Sequence, residues 1–202
     1  MKHAKFARTA PGSKRHGFTL PELLITIVIL AVLAAIAVPS MHEFIARQRV
    51  ESIAKELATD LKYLRTRSIE GKTVRIKFGS NAVNTCYVLF SVGPNGLDCD
   101  CARVDGLSSC GNAGGRGEEF KTVLIPRARG VTLTATPETL ELEGFNGLPR
   151  YLPLTDTLQT IQAIVLGTNI GGELRVYTTT DDAIVPKLCS VGGRHAALPT
   201  CP

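Results

Sequence analysis

The sequence predicts an α+β protein in which one long N-terminal helix packs on a β-rich globular domain of antiparallel strands. Three observations predict this class. Between residues 18 and 70 the chain is first continuously apolar and then apolar at every third or fourth position, as in a helix. After Gly71 apolar and polar residues alternate in short runs, as in strands. Six cysteines, all beyond residue 80, are typical of an exported domain held by disulfides.

The charge of the chain is concentrated at its start. The sequence contains 23 Lys and Arg against 18 Asp and Glu, a net charge of +5. Residues 1–17 contain five of these cations and no acid, so the remaining residues hold 18 cations against 18 acids. The net charge beyond this basic start therefore does not favour a general polyanion-binding protein.

An apolar segment follows the basic start. Residues 23–41 include no charged side chain, and residues 18–38 match the roughly 20 residues with which a helix crosses a bilayer. The sequence therefore predicts a transmembrane helix over residues 18–39. Because the Lys and Arg residues precede it, its N-terminal end is expected in the cytoplasm and the bulk of the chain outside.

The helix is predicted to continue over residues 40–71 as an amphipathic helix that ends at Gly71, a residue typical of C-terminal caps. Its apolar positions recur at spacings of three and four. These positions are Val50, Ile53, Leu57, Leu61 and Leu64.

Four arginines lie in the same amphipathic stretch, namely Arg47, Arg49, Arg65 and Arg67. They could meet lipid headgroups or an acidic partner. Acidic residues lie among them, however, and this favours a solvated helix face with i,i+4 pairs such as Glu51 with Lys55.

Residues 72–202 are expected to form a periplasmic, β-rich, disulfide-bonded domain with a C-terminal tail from Thr179 onward. Residues 74–78 and 86–92 predict a β-hairpin. Gly171-Gly172 predicts a tight turn before the last strand. Further short strands are predicted over residues 120–125, 131–135, 140–145, 161–166 and 174–178.

The cysteines are disulfide candidates rather than metal ligands. Cys189 with Cys201 would close the tail, and the other four would form two bridges whose pairing the sequence leaves open. Zinc binding is not favoured, because the spacing lacks a C-x2-C pair and the exported side is oxidising. The six candidates are Cys86, Cys99, Cys101, Cys110, Cys189 and Cys201.

The sequence does not predict an enzyme, and it predicts neither a cofactor nor a metal. Beyond the basic start it contains two histidines, His42 and His195, and none of the metalloprotease, nucleophile-elbow or dinucleotide-binding signatures. The glycine-rich residues 111–117 lack the Gly-Lys-Ser/Thr ending of a phosphate-binding loop.

The most specific motif is Gly17-Phe18-Thr19-Leu20-Pro21-Glu22-Leu23-Leu24 at the start of the apolar segment. It resembles the N-terminus of type IV prepilins. The resemblance implies that residues 1–17 are a leader, that a prepilin peptidase cuts after Gly17, and that the new N-terminal Phe18 is methylated. It also implies that Glu22 pairs with the N-terminal amine of a neighbouring subunit during filament assembly. A carboxylate inside an apolar segment is unfavourable without such a partner.

The layout of the chain, with a cysteine-rich loop after the second strand and a cysteine near the end, resembles the GspH/FimT branch of this superfamily. The resemblance implies a minor pilin or H-type pseudopilin, a structural subunit of a type IV pilus or of a type II secretion pseudopilus. Its implied partners are other pilins, the prepilin peptidase, the inner-membrane assembly platform and the lipid bilayer. Its implied location is the bacterial inner membrane, with one transmembrane span and a periplasmic domain, and then the filament.

A first alternative is a minor pilin that binds DNA. DNA-uptake members of the branch carry Gly-Arg-x-Arg in the tail, and this chain has Gly193-Arg194-His195-Ala196, which matches the first Arg and lacks the second. Lys187 and Arg194 are therefore candidate DNA contacts. So few cations would make a weak site, because non-specific binding is built from several phosphate contacts.

A second alternative is an ordinary secretory signal peptide. Residues 23–34 would form its apolar region, and Ala35-Ile36-Ala37 would direct cleavage before Val38. The product would be a secreted, soluble, disulfide-bonded domain. Pro21 and Glu22 interrupt the apolar region and disfavour this interpretation.

Overall fold

The computed structural model describes residues 17–93, 98–103, 109–110, 117–142, 149–151, 162–167, 170–178, 185–193 and 195–201. The chain divides into two compact units, residues 1–41 and residues 42–202. A single helix, α1, covers Leu20–Ile69. Pro39 lies inside it and has no backbone N–H, so one helical hydrogen bond is missing. Membrane helices tolerate such a proline.

The helix ends as the sequence predicts. Gly71 has a φ of 87°, which favours glycine, and its backbone N–H donates to the carbonyl oxygen of Ser68 at 3.0 Å.

The described strands form two antiparallel sheets, so the predicted α+β class is confirmed. One sheet has the order β3-β2-β1-β5-β6 and the other the order β4-β7-β8-β9. A 3₁₀ turn, Arg127–Arg129, connects β3 to β4. The strands are β1 Val74–Ser80, β2 Asn84–Ser91, β3 Glu119–Pro126, β4 Val131–Thr136, β5 Thr139–Leu142, β6 Pro149–Tyr151, β7 Gln162–Gly167, β8 Glu173–Tyr177 and β9 Lys187–Val191.

The main core of the second unit joins one stripe of α1 to both sheets. Val50, Ala54, Leu57, Leu61 and Leu64 are fully buried there, whereas the predicted core residue Ile53 is only partly buried at its edge. The sheets contribute alternate residues, and this alternation places one face of each sheet against the helix. These residues include Val74, Ile76, Leu140, Val165, Leu174 and Val176.

Strand β2 is buried on both faces. Tyr87 and Leu89 lie in the main core, while Cys86, Val88 and Phe90 lie in a second, smaller core on the opposite face. The second core is completed by Cys99, Cys101 and Cys110. The cysteine-rich segment therefore covers the face of the five-stranded sheet that α1 leaves open.

The structure assigns the disulfide pairing. Cys189 bonds to Cys201, the tail pair expected from the sequence. Among the four cysteines whose pairing was open, Cys86 bonds to Cys101 and Cys99 to Cys110. These bonds tie the second core to β2 and close the segment on itself.

The prediction of a tail from Thr179 onward is wrong for its central part. Residues 187–191 form β9, which pairs with β8 along its length and buries Cys189 and Ser190. Residues 195–201 lie beside β9, where Thr200 forms a parallel β-bridge with Ser190. Short strands of this kind are specified by pairing and by the Cys189–Cys201 bond more than by local pattern. Strand β6 was also not predicted.

Candidate functional site

The described part of the first unit, residues 17–41, exposes every one of its side chains. Its large apolar side chains range from 52% exposed at Val38 to 80% at Phe18. By length and composition, helix α1 is long and apolar enough to cross a membrane. A continuous apolar surface of this size is stable in water only when lipid or another protein covers it.

The bond between Gly17 and Phe18 lies in non-helical backbone just before α1. The helix begins at Leu20, and the backbone N–H of Leu23 donates to the carbonyl oxygen of Thr19 at 3.1 Å. Apart from Gly17 and its chain neighbours, no atom of the described residues lies within 4 Å of the position that a side chain at Gly17 would occupy. The described residues therefore leave the backbone at the predicted cleavage point uncovered.

Glu22 lies in the first turn of α1. The positive end of the helix dipole favours a carboxylate at this position. Within residues 17–41 and the other described ranges, no cation or hydrogen-bond donor contacts its exposed side chain. The Glu22 carboxylate is thus exposed at the start of the apolar helix.

In the second unit a cluster of charged and polar side chains joins α1 to β2 and β3 through hydrogen bonds. Asp60 is 7% exposed, and its Oδ2 accepts a hydrogen bond from Tyr87 Oη at 2.7 Å. Lys121 Nζ donates to both Asp60 oxygens, at 2.8 and 3.0 Å, and to Glu56 Oε1 at 2.8 Å. The cluster was not predicted from the sequence. The sequence feature that could have revealed it is the position of Asp60, three residues after Leu57 on the apolar face of α1.

Two groups of this cluster, the Tyr87 phenol and the Lys121 ammonium, have raised pKa values. Burial of the Tyr87 phenol, together with its hydrogen bond to Asp60, raises the pKa of Tyr87 above its usual 10.0. Partial burial lowers the pKa of Lys121, but hydrogen bonds and attraction to Asp60 and Glu56 outweigh it and the net pKa lies above the usual 10.5. The neutral phenol and the ammonium are therefore the folded-state forms.

The candidate DNA contacts are not brought together by described contacts. Lys187 is exposed at the start of β9, while Arg194 lies outside the described residues. His195, next to it, is only 6% exposed, with its Nε2 at 3.1 Å from the carbonyl oxygen of Gly171. The tail is therefore packed against the domain around His195 rather than fully solvated.

A polar cleft of 620 Å³ lies beside the connection between α1 and β1. Its charges already have partners, because Arg75 pairs with Asp98 and Glu141, and Lys72 pairs with Glu118. Over the described part of the chain, no group of three or more His, Cys, Asp or Glu side chains is arranged to hold a metal ion.

Comparisons with known proteins point to the N-terminal segment. Residues 12–38 match the family model described as the prokaryotic N-terminal methylation motif. This match includes Gly17, Phe18 and Glu22 and extends through most of the exposed apolar segment.

Curated relatives are fimbrial proteins. The chain is 32% identical over 99 residues to fimbrial protein Q of Moraxella bovis, an alignment that covers 49% of this chain and 59% of that protein. It is 40% identical over 57 residues to the type IV major alpha-pilin of Moraxella bovis, covering 28% of this chain and 36% of that protein. It is 36% identical over 58 residues to a fimbrial protein of Pseudomonas aeruginosa, covering 29% and 38%. No solved structure matches the chain significantly.

Proposed function

We propose that this type IV pilin-like protein is a minor pilin or pseudopilin, a structural subunit of a type IV pilus or of a type II secretion pseudopilus. One observation carries the proposal. A methylation motif opens directly into the apolar part of α1, where the side chains of residues 17–41 are all exposed, so this segment requires an apolar environment. The GspH/FimT branch is our expectation from the layout of the β domain, and the alignment to the major alpha-pilin covers only 28% of the chain.

The proposal begins with processing of a precursor. Residues 1–17 would be a leader that prepilin peptidase removes after Gly17, followed by methylation of Phe18. The non-helical backbone at this bond and the 80% exposure of Phe18 support access for the enzyme.

Residues 18–39 would then anchor the subunit in the bacterial inner membrane. The basic residues ahead of the segment favour a cytoplasmic N-terminus and a periplasmic position for residues 72–202. The three disulfides support an oxidising compartment for the domain. Residues 40–71 would continue the helix and hold the domain through the stripe that contains Leu57.

Assembly would transfer the apolar segment from lipid into a filament of pilin subunits, extracted by the assembly platform. The Glu22 carboxylate would pair with the N-terminal ammonium of a neighbouring Phe18. In a low dielectric both charges are satisfied only when the subunits are in register, so the pair selects the correct stagger.

The experiment is a comparison of two substitutions in the exposed segment. Glu22→Gln keeps the side-chain volume and removes the charge, so we expect the precursor to be inserted and cleaved while incorporation into filaments is lost. Thr26→Val is the control, because Thr26 Oγ1 bonds only the carbonyl oxygen of Leu23, at 2.7 Å, and carries no charge. Normal filament incorporation and secretion or pilus function in Glu22→Gln would contradict the proposed pairing.

The DNA-binding alternative depends on Arg194 and Lys187, of which only Lys187 lies in the described part of the chain. It predicts a gel shift at low salt that Arg194→Ala weakens. A shift that this substitution leaves unchanged would remove the alternative without affecting the structural role.

A further inference from the structure

Three arginines from two distant parts of the sequence lie together on the second unit. Arg49 of α1 donates from Nη1 to the carbonyl oxygen of Arg129 at 3.4 Å. Arg127 and Arg129 both belong to the 3₁₀ turn between β3 and β4. The sequence predicts a solvated helix face for Arg49, and the structure places this face against the turn that holds the other two arginines.

Across the described ranges, none of these three guanidinium groups forms an ion pair with a carboxylate. The acids nearest to Arg49 in sequence have other partners, since Glu43 pairs with Arg47 and Glu51 pairs with Lys55. The pairing of Glu51 with Lys55 confirms the i,i+4 pattern predicted for the helix. All three side chains are exposed, so their charges are available to an external anion.

An apolar hairpin tip adjoins the arginines. The backbone N–H of Arg127 donates to the carbonyl oxygen of Val83 at 2.9 Å, and Arg127 Nε donates to the carbonyl oxygen of Asn81 at 3.1 Å. Val83 is 67% exposed. Cations interleaved with exposed apolar side chains are characteristic of surfaces that contact membrane interfaces. We call this surface the arginine face; it comprises Arg49, Ala82, Val83, Arg127, Ala128 and Arg129.

Few residues connect Arg49 to the proposed membrane anchor. Nine residues lie between Pro39 and Arg49, and the stretch from one to the other spans at most about 36 Å even when fully extended. Attraction between a cation and an anionic bilayer falls off within a Debye length, about 8 Å at physiological ionic strength, so the arginines bind lipid only when the domain lies against the bilayer.

We propose that the arginine face binds the phosphate groups of anionic phospholipids in the leaflet from which the domain emerges. The inference rests on the proposed membrane anchoring of residues 18–39. The planar guanidinium groups suit phosphate oxygens, which they can bind in bidentate pairs, and Val83 enters the interface between headgroups. The contact orients the domain on the membrane before assembly and is given up when the subunit is extracted.

The test uses the full chain reconstituted in lipid vesicles, with a single tryptophan as probe. The natural sequence contains no Trp, so Val83→Trp introduces a unique fluorophore at the hairpin tip. Vesicles of phosphatidylcholine are compared with vesicles that also contain phosphatidylglycerol, both with brominated acyl chains that quench nearby tryptophan. We expect at least twofold stronger quenching in the anionic vesicles and loss of the difference at high salt.

Two controls separate the arginine face from general effects. Combining Val83→Trp with Arg49→Gln, Arg127→Gln and Arg129→Gln should abolish the extra quenching. Combining it with Lys55→Gln, Lys62→Gln and Arg65→Gln, which remove three cations further along α1, should preserve it. Leu166→Trp, at a 48% exposed position of the other sheet, should show little quenching in either vesicle. The same sets of substitutions are also made without Val83→Trp. Unfolding of these proteins, followed by intrinsic tyrosine fluorescence, confirms that each set leaves the domain folded.

Flotation of the vesicles distinguishes failure of this inference from failure of the proposed function. If the chain floats with the vesicles but Val83→Trp is quenched equally in neutral and anionic lipid, phosphate binding is wrong and anchoring stands. If its emission follows the protein-to-lipid ratio or added duplex DNA rather than lipid charge, the occupant is another subunit or DNA and the inference is overturned. A chain that does not float contradicts the anchoring itself.

Discussion

The two parts of helix α1 have opposite relations to their surroundings. Within residues 20–41 every side chain is exposed, although the segment is apolar on all sides. Within residues 42–69 a single stripe is apolar, and its members from Val50 to Leu64 are fully buried against two sheets. The comparison teaches that hydrophobicity alone does not identify a core, because its distribution around the helix decides what covers it.

The first part therefore depends on lipid or another protein to cover it, while the second part depends on contacts within its own chain. Substitutions of the same type in the two parts should separate these dependences. All four tyrosines lie beyond residue 60, so tyrosine fluorescence during denaturation reports the domain alone.

Leu57→Ala and Leu24→Ala give the largest expected contrast. Leu57 is fully buried, and its truncation leaves a cavity between α1 and the sheets, so we expect the domain to lose about 2 to 5 kcal/mol of unfolding free energy. Leu24 is 57% exposed, so we expect its truncation to leave the same transition unchanged in detergent. Equal effects of the two substitutions would show that the apolar segment is part of the domain core.

Removal of the tail disulfide should have the next largest effect. Cys189→Ser combined with Cys201→Ser removes the disulfide that holds residues 195–201 beside β9. We expect a loss of about 2 to 4 kcal/mol, measured by urea denaturation in the absence of reductant. Membrane insertion of residues 18–39 should be unchanged, and a variant that no longer floats with vesicles would contradict the independence of the two parts.

Tyr87→Phe should have the smallest of the three effects. It removes one hydrogen bond from buried Asp60, whose contacts with Lys121 remain, so we expect a loss of about 1 to 3 kcal/mol at neutral pH.

The same cluster predicts alkaline sensitivity of the domain. The folded-state pKa values of Tyr87 and Lys121 are both raised, so both groups bind protons more tightly when folded than when unfolded. Their contribution to stability is complete below the usual pKa values of 10.0 and 10.5 and is lost as the pH rises above them. Tyr87→Phe should show a shallower loss above pH 10 than the natural chain, and identical slopes would contradict this assignment.

The features that the sequence predicts well are those set by local pattern. The spacing of Leu57, Leu61 and Leu64 and the position of Gly71 give the course and end of the helix, because both depend on residues close in sequence. The β1–β2 hairpin follows from the alternation around Val74 and Ile76 for the same reason. The apolar segment follows from composition alone.

Features that depend on distant partners were not predicted. Strand β9 needs β8 beside it and the bond from Cys189 to Cys201, and no short run reveals such partners. The burial of β2 on both faces needs the cysteine-rich segment on the far side of the sheet. The sequence predicts the Cys189–Cys201 bond, but the pairing of the other four cysteines is selected by the fold.

The charged sites differ in the same way. Gly17, Phe18 and Glu22 lie within six consecutive residues, so their motif is visible in the sequence. Asp60 meets Lys121 across 61 positions, and Arg49 meets Arg129 across 80. A single sequence does not reveal contacts between residues so far apart along the chain.

The most direct test of the account is the N-terminus of the protein in membranes, determined by peptide mass spectrometry. We expect a chain that begins with N-methylated Phe18, with the apolar helix retained. A chain that begins at Val38 would contradict the account, because the apolar segment and Glu22 would then be lost and the remainder released as a soluble domain.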